Sequence, residues 1–388
     1  MSEIDAVRLE SEVYPVVKIH AFGEIKNGGT PSSDEANWDG DIPFITPPDL
    51  NGLDSKSVAS VGRTITELGL KQGSNLVENG VIISGRAPVG YVGVVVTPSA
   101  FNQGCKAICT AQNHRYVAYA LTASKSNLQV LANGTTFSEI SSTALANYAI
   151  PLPPLEIQRR IADYLDRETA EIDAAVADLD RYVELLEKRR RAKITFAVEG
   201  KSNLVKDNST ESHPVANLGL VAHAYQPETL SMEALNQSGT FPVFGANGII
   251  GRHDNFNHEQ PQVVIACRGN TCGAVNWTLP KSWINGNAMV INPHAEKLRK
   301  DFLFYVLEIA DYSLVITGSA QPQIIRESLY RLRVPLPPLE TQRRIADYLD
   351  RETTEIDSLI ADSTRLRDLL LKRRSVLITE VVTGRKQV

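Results

Sequence analysis

The clearest pattern along the chain is a helical one. Ile172, Val176, Leu179, Val183 and Leu186 recur with gaps of 4, 3, 4 and 3. That spacing is a narrow coiled-coil seam, not the broad apolar face of a core helix. Upstream, Pro153-Pro154 ends the preceding chain, and Gln158, Ile161 and Leu165 follow at helical spacing. Thr169 is placed to N-cap a second, longer helix, and Gly200 to stop it. From Glu171 to Val198 that helix has roughly 28 residues and a length of about 42 Å. A second seam keeps Ile356, Ile360 and Leu370 but carries Ser363 and Arg367. Two unequal partners suit an internal pair better than a symmetric homodimer. The rest of the chain is rich in Gly, Asn and Pro, with short β-type runs such as Gly80–Ser84 and Gln262–Ala266.

The helical blocks are copies of each other. PLPPLEIQRRIADYLDRETAEID begins at Pro151 and PLPPLETQRRIADYLDRETTEID at Pro335, and the ungapped register to Gly200 and Gly384 holds 33 identities in 50. Upstream it persists at Gly134/Gly318, Ile140/Ile324 and Leu145/Leu329. Two copies at so long a period make a duplicated domain pair and not a solenoid. The segments between the copies share only a skeleton: IISGRAPVGYVG around Arg86 parallels VIACRGNTCGAV around Arg268, and FNQGCKAI parallels WINGNAMV. The expected organisation is α+β: two mixed α/β domains, residues 1–150 and 201–334, separated by helical spacers 151–200 and 335–388 that form an antiparallel coiled coil.

Composition narrows the function classes. The 388 residues are 43% hydrophobic and 22% charged, which fits an ordinary globular protein. No apolar run approaches the roughly 20 residues of a membrane span. The start, MSEIDAVRLE, has no basic stretch leading into an apolar core, and four cysteines are too few to staple the chain. The expectation is a cytoplasmic protein without membrane contact. A net charge of −5 leans away from nucleic acid, but binding depends on where charges sit. By segment the balance runs −4, −2, 0 and +1. The basic clusters, Lys188–Lys193 and Lys372–Arg374, lie at matching ends of the long helices. They suit either the helix C-terminus or phosphate.

Catalytic signatures are scarce. There is no G-x-x-x-x-G-K-[ST] loop, no G-x-G-x-x-G after a strand, and no Asn/Asp-Pro-Pro-aromatic tetrapeptide of amino-methyltransferases. Asp49 with Asp54-Ser55-Lys56 has a nuclease-like look, but a Pro-Asp turn and polar loop explain it better. Cys105, Cys109, Cys267 and Cys272 miss zinc spacing. Gly245–Gly248 reads as a hairpin turn. Arg86 and Arg268 each follow a β-type run and open a Gly-rich loop, where an arginine can reach a guanine edge or make a structural salt bridge.

NGGTPSSDEANWDGDIPFITPPDL (Asn27–Leu50), FPVFGANGIIG (Phe241–Gly251) and the doubled PLPPLExQRRIADYLD resemble the specificity subunit of type I restriction-modification enzymes. The resemblance implies two target recognition domains, each reading one half of a split, asymmetric double-stranded DNA site. It implies a coiled-coil spacer that fixes the separation of the halves, and a rod of about 42 Å is comparable with the roughly 34–36 Å between major grooves one turn apart. It further implies two modification (methyltransferase) subunits that carry S-adenosylmethionine and methylate adenine at N6. Restriction (helicase-nuclease) subunits that use ATP and Mg²⁺ would complete the assembly. This chain would then bind no cofactor or metal and catalyse nothing. Candidate DNA-facing residues are Asn27, Thr30, Ser32, Arg86, Tyr91, Asn247, Arg252, Arg268 and Asn270. Two other classes stay open, a duplicated coiled-coil adaptor without DNA specificity and a self-contained nuclease or methyltransferase.

Overall fold

Contacts in a computed structural model divide the chain into two units, residues 1–179 with 365–388 and residues 180–364. The structure describes residues 8–132, 139–200, 213–318 and 321–388. Gly134, one of the repeat positions, lies outside them.

In the first unit, strands β1 (Val16–Lys18), β2 (Gly23–Asn27), β3 (Gly80–Ser84), β4 (Val92–Val95) and β5 (Cys105–Thr110) precede helix α1 (His114–Ala123), strand β6 (Ala149–Pro151) and helix α2 (Leu155–Val198). The main sheet has the order β2-β5-β3-β4 and is antiparallel throughout, while β1 pairs with β6. Every residue of β3 is buried. Val81 and Ile83 face Tyr116 and Val117 of α1, and Ile82 packs with Ile45 and Phe101 of a second small sheet. Cover on both faces is why this run is continuously apolar instead of alternating.

The second unit repeats the plan with β7 (Val215–Asn217), β8 (Ala222–Tyr225), β9 (Val263–Ala266), β10 (Val275–Trp277), β11 (Ala288–Pro293), α3 (Lys300–Ile309), β12 (Arg333–Pro335) and α4 (Leu339–Val382). Its sheet order is β8-β11-β9-β10, and β7 pairs with β12. Val263 and Ile265 share a core with Phe302 of α3, and Val264 packs with Ile284 on the opposite face. Even a parallel pairing in the small sheets recurs, Phe44 with Ala100 and Val243 with Trp283.

Each long helix runs 44 residues, about 66 Å at 1.5 Å per residue. The expected break at Thr169 is absent. The Thr169 hydroxyl donates to the Leu165 carbonyl at 2.7 Å and lies 3.2 Å from the Tyr119 hydroxyl, so a buried threonine satisfies itself inside the helix instead of capping one. The stop at Gly200 is as read, and Gly200 and Gly384 take φ of +74° and +79°, which a side chain disfavours. The helices pack antiparallel. In the first unit Ile161, Leu165 and Ile172 of α2 share a core with Leu377, Ile378 and Val381 of α4, and Val176 and Leu370 pack against it. In the second unit Ile194 and Val198 share one with Ile345 and Leu349. Leu186 and Ile356 are buried, while Leu179, Val183 and Ile360 are half-buried.

Charge completes the pairing. In the first unit Arg374 is buried, with Nε 2.8 Å from Asp173 and Nη1 3.5 Å from Asp54, and Lys56 lies 2.8 Å from Asp173. In the second unit Arg190 reaches Asp357 at 2.8 Å and also pairs with Glu308. The pairs are repeat equivalents. Arg190 and Arg374, read from sequence as helix-end charge or phosphate contacts, are therefore internal ion pairs. The carboxylates of the nuclease-like set are spent likewise. Asp54 pairs with Arg374, and Asp49 accepts from the Thr46 and Gly62 amides at 2.8 and 2.9 Å.

The sheets are tied to the helices by buried polar side chains. Gln158 accepts from the Asn113 amide at 3.0 Å, just before α1, and donates to the Pro153 carbonyl at 2.8 Å. Gln342 does the same for Arg299 at 2.8 Å and Pro337 at 2.8 Å. Tyr119 donates to Asp166 at 2.8 Å and Tyr305 to Asp350 at 2.6 Å, and burial pushes both phenols well above the usual range.

Gln158→Leu is expected to strand the Asn113 N–H and the Pro153 carbonyl and to destabilise the protein by about 2–4 kcal/mol. The urea midpoint at constant slope reads this. Glu156→Gln, at an exposed neighbour, is the control and should move it by less than about 0.5 kcal/mol.

Candidate nucleic-acid interface

The end of each main sheet away from the glutamine anchor carries Asn27 and Arg86 in the first unit and Arg268 in the second. In the first unit, β3 delivers Arg86 two residues beyond Ser84, and Arg86 bridges antiparallel to Glu139. The Arg86 Nε donates to Glu139 Oε2 at 2.9 Å. Lys106, on β5 opposite Asn27 and Ile83, is 5% exposed. Its amine donates to Asn27 Oδ1 at 3.2 Å and lies 3.9 Å from Glu139. Ser142 donates to the same Asn27 oxygen. Burial lowers the Lys106 amine below the ordinary lysine value, with Glu139 partly restoring it.

The other candidates of this unit are mostly engaged. Thr30 donates to Gln103, and Ser32 accepts from Asn37 Nδ2 at 2.9 Å and, through its carbonyl, from Trp38 Nε1 at 2.9 Å. Tyr91 carries the Lys125 amine 4.5 Å above its ring. Gly28 and Gly29 make this turn possible, since a Cβ on either would lie within 2 Å of the Asn102 or Gly73 carbonyl oxygen.

In the second unit, Arg268 bridges antiparallel to Gln323 and lines a groove with Tyr225, Gln226, Met289 and Arg326. Gln226 donates to the Gly286 carbonyl at 2.9 Å, which leaves its oxygen as an acceptor. Arg326 pairs with Glu327 at 3.2 Å. Among the described residues the Arg268 guanidinium is exposed and has no hydrogen-bond or ion-pair partner. Asn270 is exposed on the adjoining loop, which turns at Gly269 and Gly273 with φ of +82° and +95°. Asn247 is exposed at the tip of the expected hairpin, where Phe241–Gly245 pairs with Gly248–His253. Arg252 is held instead, donating to the Gly239 and Thr240 carbonyls at 2.6 and 2.5 Å.

The structure thus brings Asn27 and Arg86 into one cluster, sets Arg268 and Asn270 on one neighbouring stretch, and leaves Asn247 and Arg252 on a separate hairpin. Lys106, Glu139 and Gln323 escaped the sequence reading. Their signal was present, because a lone lysine interrupts an apolar strand, and Glu139 and Gln323 each immediately precede the repeat pair Ile140/Ile324. Of the thiols, Cys105 is buried and pushed up to about 12 by that burial, and Cys267 is buried at the end of β9.

A family model for the type I restriction modification DNA specificity domain matches residues 12–177 and 215–362, more than half of the chain. The MjaIX specificity subunit of Methanocaldococcus jannaschii is 31% identical over 182 residues, 45% of this chain and 41% of that protein. The chain therefore spans about two fifths of the length of that relative. The EcoprrI specificity subunit of Escherichia coli is 22% identical over 370 residues, 90% of each chain. A solved chain from work on complex assembly and conformational transition of the type I R-M system shares the fold, with a TM-score of 0.65 at 16% identity over 96% of this chain and 98% of that one. No helix among the described residues is long and apolar enough to cross a membrane.

Unfolding returns Lys106 to its ordinary value. Between the depressed folded value and that ordinary value the unfolded chain binds more protons, so this group makes stability rise with pH there. Lys106→Met removes the contribution. The stability difference, wild type minus variant, is expected to increase with pH through that alkaline window. Urea midpoints taken across it would show a flat difference if Lys106 were solvated.

Proposed function

The chain belongs to the type I restriction modification DNA specificity family, and from that premise we propose that it reads a bipartite, asymmetric DNA target for a type I restriction-modification system. The carrying observation is the duplication itself. Two units of one topology are anchored to copies of one helix through the same buried glutamine and through the same buried tyrosine bonded to an aspartate, yet their opposite sheet ends carry different side chains. Identical anchors with divergent faces suit two readers of two different half-sites.

In this reading the catalytic groups belong to partner chains. Two modification subunits supply S-adenosylmethionine and adenine methylation, and restriction subunits supply ATP- and Mg²⁺-dependent cleavage. The recognition faces are candidates for direct readout in the major groove. The balanced charge of the chain fits this division of labour, since phosphate contacts dominate affinity and partners can provide them. The isolated chain should bind DNA weakly and the complex tightly.

Co-expression with a modification subunit and genome-wide mapping of methylated adenines is expected to return one split motif. Methylation at no defined motif would favour an adaptor without DNA specificity. Arg268→Ala should weaken recognition of one half-site by about tenfold or more and leave the other intact in a competition series. Whole-heptad insertions in both α2 and α4, which preserve the seam, are expected to shift the tolerated spacing between half-sites without changing their bases. An unchanged spacing preference would remove the ruler role.

A further inference from the structure

The two strand-end arginines occupy the same place in the two units. Each follows an equivalent buried strand by two residues, and each bridges to the residue before the repeat isoleucine. The backbone bonds around them match, with the Ile140 amide donating to the Gly85 carbonyl at 2.8 Å and the Ile324 amide to the Cys267 carbonyl at 3.0 Å. The bridging residue differs. It is Glu139 beside Arg86 and Gln323 beside Arg268. A second exchange accompanies it. The strand residue opposite Ile83 is Lys106, and the one opposite Ile265 is Met289.

The consequence for each guanidinium is direct. A carboxylate at 139 takes the Arg86 Nε at 2.9 Å and stands 3.9 Å from the Lys106 amine. A carboxamide at 323 carries no charge to hold Arg268, and that arginine has no partner among the described residues. The local charge is the same in both places, +1 from Arg, Lys and Glu or +1 from Arg alone. What differs is whether the arginine's donor fork is committed.

We propose that the residue at position 139 or 323 is a specificity determinant, leaving Arg268 free to read a guanine in the half-site of the second unit and withholding Arg86 from that role in the first. A free guanidinium at a strand end can donate bidentately to guanine O6 and N7. Arg86 has its Nε edge occupied by Glu139, and the ion pair fixes the direction of the Nη donors that remain. The half-site of the second unit thus owes one G·C position to Arg268, and the half-site of the first is specified there by a different group. This inference rests on the DNA-reading function proposed above.

The test uses the chain assembled with its modification subunit and measures competition for targets in which each position of both half-sites is varied. Gln323→Glu should recreate the first unit's pairing, and affinity for the half-site that Arg268→Ala weakens should fall by about tenfold or more, with discrimination lost at one G·C position. Because the two changes disable one contact, Arg268→Ala with Gln323→Glu should lose no more than Arg268→Ala alone. Retained base preferences at the other half-site show that the complex is intact. In the reverse direction, Glu139→Gln together with Lys106→Met copies the second unit and should add a guanine preference at one position of the first half-site. Wild-type discrimination in Gln323→Glu, or additive losses in the double variant, would overturn the inference while leaving the DNA-reading function standing. A wild-type complex that selects no split sequence would overturn both.

Discussion

The hydrogen bonds of Gln158 and Gln342 fix what the rest of each unit can do. Each glutamine sits in the first turn after a Pro-Pro pair, is fully buried, and takes the backbone amide that precedes the helix covering the main sheet. A buried carboxamide that lost either partner would leave a polar group unsatisfied in the core. The long helix and the sheet domain therefore cannot slide past each other without breaking it. The tyrosine–aspartate bond a few turns later adds a second fixed point, and two fixed points set orientation as well as position. The opposite end of the sheet is then held by the fold but not by these contacts. It is free to diverge.

Duplication followed by divergence at that free end explains the distribution of identity. The residues that anchor, Gln158/Gln342, Asp166/Asp350 and Thr169/Thr353, are the same in both copies, as are Arg190/Arg374 and Asp173/Asp357 of the coil. Each arginine is carried by one long helix and neutralised by an aspartate of the other, so a change in one copy would strand a charge in its partner. Arg374 is buried and Arg190 half-buried, and a charge withdrawn from water is costly to leave without its partner. That reciprocity holds the two helical copies together in sequence, whereas nothing comparable links Glu139 to Gln323.

Much of this was legible in the sequence, and the failures have identifiable causes. The seam from Ile172 to Leu186 and the stop at Gly200 follow from periodicity and backbone conformation, which are local properties. The burial of Gly80–Ser84 on both faces could be inferred from its unbroken apolar run. Thr169 misled because a threonine hydroxyl serves equally as an N-cap or as a bond back to the carbonyl four residues earlier, and only the neighbouring Tyr119 selects the second. Arg190 and Arg374 misled because a basic run near a helix end also complements its dipole. Their true partners, Asp357 and Asp173, are distant in sequence. Arg252 looked free for the same reason, its carbonyl partners being set by a strand register that local pattern does not encode.

Net charge was the weakest guide, and the structure explains why. A count of −5 gives every charge the same weight wherever it sits. Asp54, Asp173, Asp357, Glu308 and Glu139 instead neutralise arginines or lysines of the same unit. Such paired groups contribute little field at a distance, because each presents a small dipole and not a charge. What DNA would meet is the remainder, and in the second unit that remainder includes the uncommitted Arg268. A reader of bases needs few charges, well placed, on an otherwise balanced surface, since specificity comes from oriented donors and acceptors and not from total attraction.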